Sequence, residues 1–334
     1  MTRSKKYETI SFLSDFGTTD EFVGVVHSVI NSIAPFVKVI DVTHGIPHYD
    51  IRSGGLALAR SAQYLSPGVV LAVVDPGVGT QRRAVAVEVG GGESVLVGPD
   101  NGLLAPTVAL VGGADRAVSL TETKYQLPAP GPTFAGRDIF GPAAAHIASG
   151  VDLLDLGEEV EVSSLVPGLM PITSKEDDGL HAEVLWVDQY GNAQINLDPA
   201  ELEIKENEIN HFEITTSGLT RIAKKVNNFE ELSGGELGLT IDSYGLVALV
   251  IGRGSAADEM KISTGIQVII YFAENFSDKV IITDDNPRDE DPKKIREAIL
   301  KGCPSAIEIS DRHEAISKAI SMGKKGDSII IAGK

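Results

Sequence analysis

Short apolar runs at Ile10 to Leu13, Val37 to Val42, Val69 to Val74 and Val95 to Val97 are rich in β-branched residues and predict buried strands. Between the first two, Phe22, Val25, Val26, Val29, Ile30 and Ile33 recur at helical spacing. Ile51 to Leu65 and Ile139 to Ala148 predict two further helices. Strand–helix alternation of this kind predicts a mostly parallel sheet covered by helices. From about Leu180 the pattern changes. Ala182 to Val187 and Ala193 to Leu197 flank the turn-rich link Asp188-Gln189-Tyr190-Gly191-Asn192, and short runs follow at Phe212 to Thr215, Leu237 to Ile241, Leu246 to Ile251 and Ile266 to Tyr271. Few helical signals accompany them, so this part reads as a small antiparallel sheet or barrel, with Pro167 to Asp178 as the linker.

Alternation then returns. Val280 to Thr283, Pro292 to Leu300, Ala306 to Ile309, His313 to Met322 and Ser328 to Ala332 read as β-α-β-α-β, a unit too small to bury much core alone. The expected class is α/β, with domains at 1–170, 178–271 and 277–334.

Composition narrows the partners. The 334 residues carry a net charge of −18, and the basic residues are scattered, which argues against nucleic acid and anionic membranes. A single cysteine, Cys303, excludes an intrachain disulfide and fits a reducing cytosol. No run approaches the roughly 20 apolar residues of a membrane span, so a cytoplasmic protein is expected.

The candidate chemistry gathers at strand ends. Val74-Asp75-Pro76-Gly77-Val78-Gly79 places a carboxylate at the end of a buried strand and delivers Arg82 and Arg83 a few residues later. Ligands of open α/β sheets sit at such ends. A tight turn whose aspartate caps backbone amides is the plainer account. Ser14-Asp15-Phe16-Gly17-Thr18-Thr19-Asp20 places Asp15 where a carboxylate accepts both hydroxyls of a ribose, while Thr19 or Asp20 is expected to cap the following helix. His44 and His48 lie four apart beside Asp41, but Gly45 and Pro47 disfavour the helical turn that would align them on a metal. Gly98 to Leu104 reads as a structural turn, and Pro132 to Asp138 opens a helix whose free amides favour negative charge. No phosphate-cradling loop and no serine nucleophile elbow is present, and Gly252-Arg253-Gly254-Ser255-Ala256-Ala257 follows the wrong kind of strand for a dinucleotide fingerprint.

Five ordered motifs carry a resemblance: Ser14 to Asp20, Asp41-Val42-Thr43-His44, Val74 to Gly79, Gly136-Arg137-Asp138 and Asp188 to Asn192. Over about residues 8–271 the chain resembles the S-adenosyl-L-methionine (SAM) hydroxide adenosyltransferases, adenosine-forming SAM hydrolases related to the SAM-dependent chlorinase and fluorinase. The resemblance implies an N-terminal α/β domain, a C-terminal β-barrel and a homotrimer with SAM between neighbouring subunits. By matched position Asp15 grips the ribose hydroxyls with Asp20 nearby, and Tyr49, Phe134 and Gly136 line the pocket. Asp188, Tyr190 and Asn192 meet methionine and ribose; Ser243, Tyr244, Ile251, Arg253, Ser255 and Ala256 lie in segments that meet methionine and adenine.

Asp75 and Arg82 match two members of the hydrolases' Asp-Arg-His water-activating set; the third position holds Ala135. Relatives often place glutamate where this chain has Ala248. The resemblance thus implies hydrolysis of SAM to adenosine and L-methionine, without a cofactor or metal. The alternatives are a SAM- or adenosine-binding protein with weak catalysis and, behind it, a halogenase. Against the latter, Asp75 repels halide, and Gly136 stands where the fluorinase carries a halide-binding serine.

The tail carries a second resemblance. Thr283-Asp284-Asp285-Asn286-Pro287-Arg288 with Glu290-Asp291-Pro292, Asp311-Arg312 and Ile331 to Lys334 are similar to part of the C-terminal domain of UDP-N-acetylmuramoyl-tripeptide ligases. Arg288 belongs to a motif that contacts the incoming diamino acid there. The ATP-binding domain of those ligases is absent, so ligase activity is not expected.

Overall fold

The computed structural model describes residues 7–168, 171–176, 179–202, 211–272, 280–284, 291–302, 306–323, 329 and 331. Two units separate by their contacts, 1–272 and 273–334.

The first unit opens with β1 (Thr9–Ser14), α1 (Phe22–Ile33), β2 (Lys38–Thr43), α2 (Ile51–Ala62) and β3 (Val69–Val73). Then come β4 (Ala84–Val89), β5 (Ser94–Pro99), α3 (Ala105–Leu110), β6 (Ala114–Ser119), α4 (Gly141–Ala148) and β7 (Glu158–Val160). The seven strands form one sheet in the order β2-β1-β3-β5-β4-β6-β7. Its first four strands are mutually parallel, and β4, β6 and β7 extend it in antiparallel fashion. β3 is the fully buried centre, and its Val-Val-Leu-Ala-Val is apolar on both faces because both are covered. Ile10, Phe12, Leu71 and Val73 pack with Val26, Ile30 and Ile147 of α1 and α4 on one face. Leu13, Val70, Ala72 and Val74 pack with Ala57 and Leu58 of α2 on the other.

β8 (Ser174–Glu176), β9 (Gly179–Val187), β10 (Ala193–Ile195), β11 (His211–Thr216), β12 (Leu219–Lys225), β13 (Leu237–Ile241), β14 (Val247–Ile251), α5 (Ala256–Met260) and β15 (Gln267–Phe272) complete the unit. Pairing of β10 with both β14 and β9 closes β9 to β15 into a seven-stranded barrel, with β8 appended to β9. All its pairs are antiparallel except β12–β13. Phe212, Ile214, Leu239, Leu249, Val268 and Ile270 fill it. Within the same unit, α2 reaches the barrel's outer face. Arg52 pairs with Glu183, and Arg60 donates to Gln194 Oε1 at 2.5 Å and lies 4.9 Å from the Trp186 ring centroid.

The second unit holds β16 (Ile281–Ile282), α6 (Pro292–Gly302), β17 (Ile307–Glu308) and α7 (Arg312–Met322), with β16 and β17 parallel. Asp311 caps α7 by accepting from the Glu314 amide at 2.7 Å. Asp285 to Arg288 and Cys303 lie outside the described residues, as does most of the strand expected at Ser328 to Ala332. Among the described residues no helix is long and apolar enough to cross a membrane.

Candidate functional site

The strand order places a topological switch point between β1 and β3. The chain leaves β1 for β2 on one side, through α1, and returns to β3 on the other, through α2. The crossovers lie on opposite faces of the sheet and leave a crevice at the strands' carboxyl ends. Ser14 and Val73 are register partners there, and the Asp15 amide donates to the Val73 carbonyl at 3.3 Å. Asp15 and Asp75 therefore leave adjacent strands at the same edge.

Asp75 is tied into its own turn. The Val78 amide donates to the Asp75 carbonyl at 3.2 Å and the Thr80 amide to that of Gly77 at 3.1 Å, which swings the chain back. Arg82 then forks onto the carboxylate, Nε to Oδ1 at 2.9 Å and Nη2 to Oδ2. Its guanidinium also lies 5.1 Å from the Phe140 ring centroid, so the fork is held from behind. Asp75 keeps only 6% of its side chain exposed. Burial pushes its carboxyl above the usual aspartate range and outweighs the charge and hydrogen bonds of Arg82 and the Gly77 amide; the nearby Asp15 adds to the rise. The result is a fixed carboxylate of raised basicity.

Asn101 donates to the Val74 carbonyl at 2.9 Å and so braces the residue before Asp75. In the sequence this asparagine lies in a turn read only as structural, and an Asn-Gly pair after a strand carries no further signal.

The wall opposite is aromatic. Phe16, Phe22 and Phe134 form a cluster with centroid separations of 5.0 to 6.0 Å. Gly136 admits it: a Cβ there would stand 2.8 Å from Phe16 Cζ. Residues Gly136–Phe140 form a π-helical turn that runs into α4, a local form often found at functional sites. Ala135 is buried just before it and lines an open cleft of about 370 Å³ with Gly79, Arg82, Pro132 and Asp138. Tyr49 is 73% exposed and holds a left-handed backbone, φ 66°. Its amide, not its ring, meets the site, donating to Asp15 Oδ2 at 3.0 Å.

A second set of residues lies at one end of the barrel. Asp188 Oδ1 accepts from the amides of Tyr190 and Asn192, both at 2.9 Å, and Oδ2 accepts from Asn192 Nδ2 at 2.9 Å. Gly191, φ 80°, touches Ser255, and a Cβ there would sit 2.0 Å from Ser255 Oγ. Ser255 caps α5 through the Asp258 amide, and Ala256 is buried under it. Ile251 is buried, whereas Arg253 is exposed with a left-handed backbone, φ 57°.

Ser243 and Tyr244 fall elsewhere. Their turn precedes β14, whereas the Asp188 turn lies past the opposite end of that strand. Tyr244 meets Tyr64, just past the end of α2, and Arg60 of α2, with centroid distances of 6.4 and 5.7 Å. Among the described residues no hydrogen bond joins the Asp15–Asp75 set to the Asp188–Ser255 set. Asp20 is exposed, and the expected cap by Thr19 or Asp20 is not made: the residue before α1 is Glu21, without a side-chain cap.

His48 does not join His44. Asp41 Oδ1 instead accepts from His27 Nε2 at 2.8 Å, with His44 Nε2 at 3.1 Å, an ion-pair contact off the line of a good hydrogen bond. Burial acts against the Asp41 carboxylate, yet the two imidazoles hold its carboxyl below the usual range. Nothing in the local pattern connects His27 to β2; it stands on the face of α1 that the fold turns toward the edge strand.

A switch-point site with a carboxylate–guanidinium pair, ahead of a closed barrel, defines a two-domain α/β protein equipped for polar chemistry on a small ligand. Comparison with known proteins gives the family. The SAM hydroxide adenosyltransferase N-terminal domain matches residues 10–157 and the C-terminal domain of that family matches 182–269; the chain belongs to it. It is 42% identical over 259 residues, 78% of this chain and 96% of the relative, to the (R)-S-adenosyl-L-methionine hydrolase of Salinispora arenicola. A fluorinase of an Actinoplanes species is 29% identical over 218 residues, 58% of this chain and 73% of its own. The crystal structure of an uncharacterized conserved protein from Thermotoga maritima aligns with a TM-score of 0.72 at 28% identity, covering 78% of this chain and 99% of that one. The Mur ligase, glutamate ligase domain matches residues 240–334, which take in the tail and the last strands of the barrel. The chain is 46% identical over 90 residues to the UDP-N-acetylmuramoyl-L-alanyl-D-glutamate–2,6-diaminopimelate ligase of a Chelativorans species, 18% of that enzyme.

Proposed function

We propose that this protein hydrolyses SAM to adenosine and L-methionine, with Asp75 and Arg82 activating water. The observation that carries the reading is the buried Asp75 carboxylate, forked by Arg82 and set beside Asp15 at the switch point. Water oxygen forms a bond to C5′ as the C5′–S bond breaks. The electron pair of that bond goes to sulfur, which leaves as a neutral thioether, and the water proton goes to Asp75. A neutral leaving group needs no general acid, and the step neutralises the sulfonium, so the reaction calls for no metal or cofactor. Arg82 keeps Asp75 ionised and aimed, and Asp15 supplies the ribose grip.

The separation of the Asp188–Asn192 turn from the Asp15–Asp75 edge on one chain supports a homotrimer, in which the first set of one barrel faces the second set of a neighbour. Ala135 favours a second reading, a SAM- or adenosine-binding protein with little catalysis, because the cleft beside Arg82 holds no third polar group at that position. Halogenation is disfavoured: a serine at 136 would strike Phe16, and a carboxylate repels halide. Incubation of purified protein with SAM, followed by chromatography, tests all three. Adenosine supports hydrolysis, tight binding without adenosine supports the second reading, and 5′-halo-adenosine with added chloride or bromide would overturn both.

A further inference from the structure

The structure assigns His44, as its Nε2–H tautomer, to be the positioning residue that sets the backbone carrying Asp15 and Phe16. Its Nδ1 lies 2.7 Å from Ser14 Oγ, and both groups are buried. Ser14 Oγ also accepts from the Phe16 amide at 3.3 Å, and the His44 carbonyl accepts from the Gly17 amide at 2.8 Å. One residue thereby clamps the loop after β1 through both its ring and its main chain. Asp15 lies within that loop with its carboxylate on the Tyr49 amide, and Phe16 is the ring that walls the site.

The tautomer follows from counting protons. A hydroxyl has one hydrogen to donate, and among the described residues the acceptor that Ser14 Oγ meets in a hydrogen bond is His44 Nδ1. Donating to Nδ1 satisfies that hydrogen and leaves Oγ free to accept from Phe16. The opposite tautomer would strand the Ser14 hydrogen in a buried place and set the Nε2 lone pair beside the Asp41 carboxylate, at a cost on both counts. Asp41 and His27 face the ring's far nitrogen, and the edge of Phe12, 4.6 Å between centroids, fixes its plane. His44 therefore acts through Ser14 on the loop; it does not touch substrate.

The effect on ligand rests on the adenosyl reading above, whereas the effect on the loop does not. Asparagine places an oxygen where Nδ1 stands and glutamine places its polar atoms where Nε2 stands, so the two substitutions separate the two nitrogens. In the free protein, His44→Gln and His44→Ala are expected to raise hydrogen exchange of the Phe16 amide about tenfold or more, and His44→Asn to rescue most of that loss. Ser14→Ala should act like His44→Gln, and adding His44→Gln to it should change little further, as members of one chain of bonds behave. Calorimetric titration with adenosine should show affinity falling about tenfold with glutamine and recovering with asparagine. Exchange that is unchanged by glutamine, or as fast with asparagine as with alanine, overturns the assignment. So does adenosine binding that glutamine leaves intact. A wild-type protein that binds no adenosine sinks the adenosyl reading instead, and the exchange series still decides His44.

Discussion

Asp75 is the proposed base, and two opposing effects meet on its carboxylate. Arg82 favours its charge, and burial disfavours it more, so its carboxyl is pushed up. Asp75→Asn keeps the shape and loses the base; adenosine formation should fall by about 10²–10⁴-fold while SAM affinity changes little. Wild-type turnover in that variant would remove Asp75 from the mechanism. The same shift sets a pH dependence. With Asp75 as the base the active form is its carboxylate, so the rate should fall as pH drops through its pKa, and burial places that fall at higher pH than an exposed aspartate would. A rate profile absent from Asp75→Asn identifies the limb. Ala135 gives a complementary test. It lines a cleft with room beside Arg82, and Ala135→His is expected to raise the rate about tenfold or more if the site follows the hydrolase plan. An unchanged rate with an undisturbed fold would show that the plan has been altered.

At the scale of elements, β1 and β3 matter because they are neighbours in the sheet. Their parallel register puts Ser14 beside Val73, and the residues that follow, Asp15 and Asp75, inherit that proximity. The π-helical turn before α4 has an equally local cause. It brings Gly136 against Phe16, whose ring would have to give way to a Cβ there. Gly136→Ser should force the Phe16–Phe22–Phe134 cluster apart, destabilise the protein by about 1–3 kcal/mol and weaken adenosine binding. Thermal melting beside titration checks this, and a serine variant of wild-type stability would show that the ring has somewhere to go. The barrel's Gly191 has a parallel role, with its positive φ and its contact with Ser255 joining the Asp188 turn to α5.

At the scale of the whole molecule, the two sets of candidate residues occupy different places on one chain, and a homotrimer would bring them together. Light scattering should give three times the monomer mass, and truncation after Phe276 should leave both that mass and SAM affinity in place. The family match ends at residue 269 and the first compact unit at 272, so the appendage belongs to a separate unit from the one that carries both sets. An active monomer would contradict the first expectation. A tenfold loss of affinity on truncation, about 1.4 kcal/mol, would make the tail part of the site.

Much of the element order, and the residues at the strand ends, can be read from local pattern alone. Apolar runs and helical spacing are local, and β1, α1, β3, β13 and β14 lie where those patterns place them. Other elements left weaker local traces. β12, with its Thr-Arg and Lys-Lys, takes its identity from the strands it pairs with, and the short α5 from its Ser255 cap, whereas the alternating valines of β4 (Ala-Val-Ala-Val-Glu-Val) are a legible strand pattern outside the apolar runs named above. Which strand ends meet emerges only in the folded chain. Strand order is a property of crossovers, not of any window of residues, so the β1–β3 switch point, the exchange of His48 for His27 beside Asp41, and the separation of Tyr244 from Asp188 were beyond the pattern. The same holds for the basicity of Asp75. Its arginine lies seven residues away in sequence, but the burial that raises it comes from long-range packing around the end of β3.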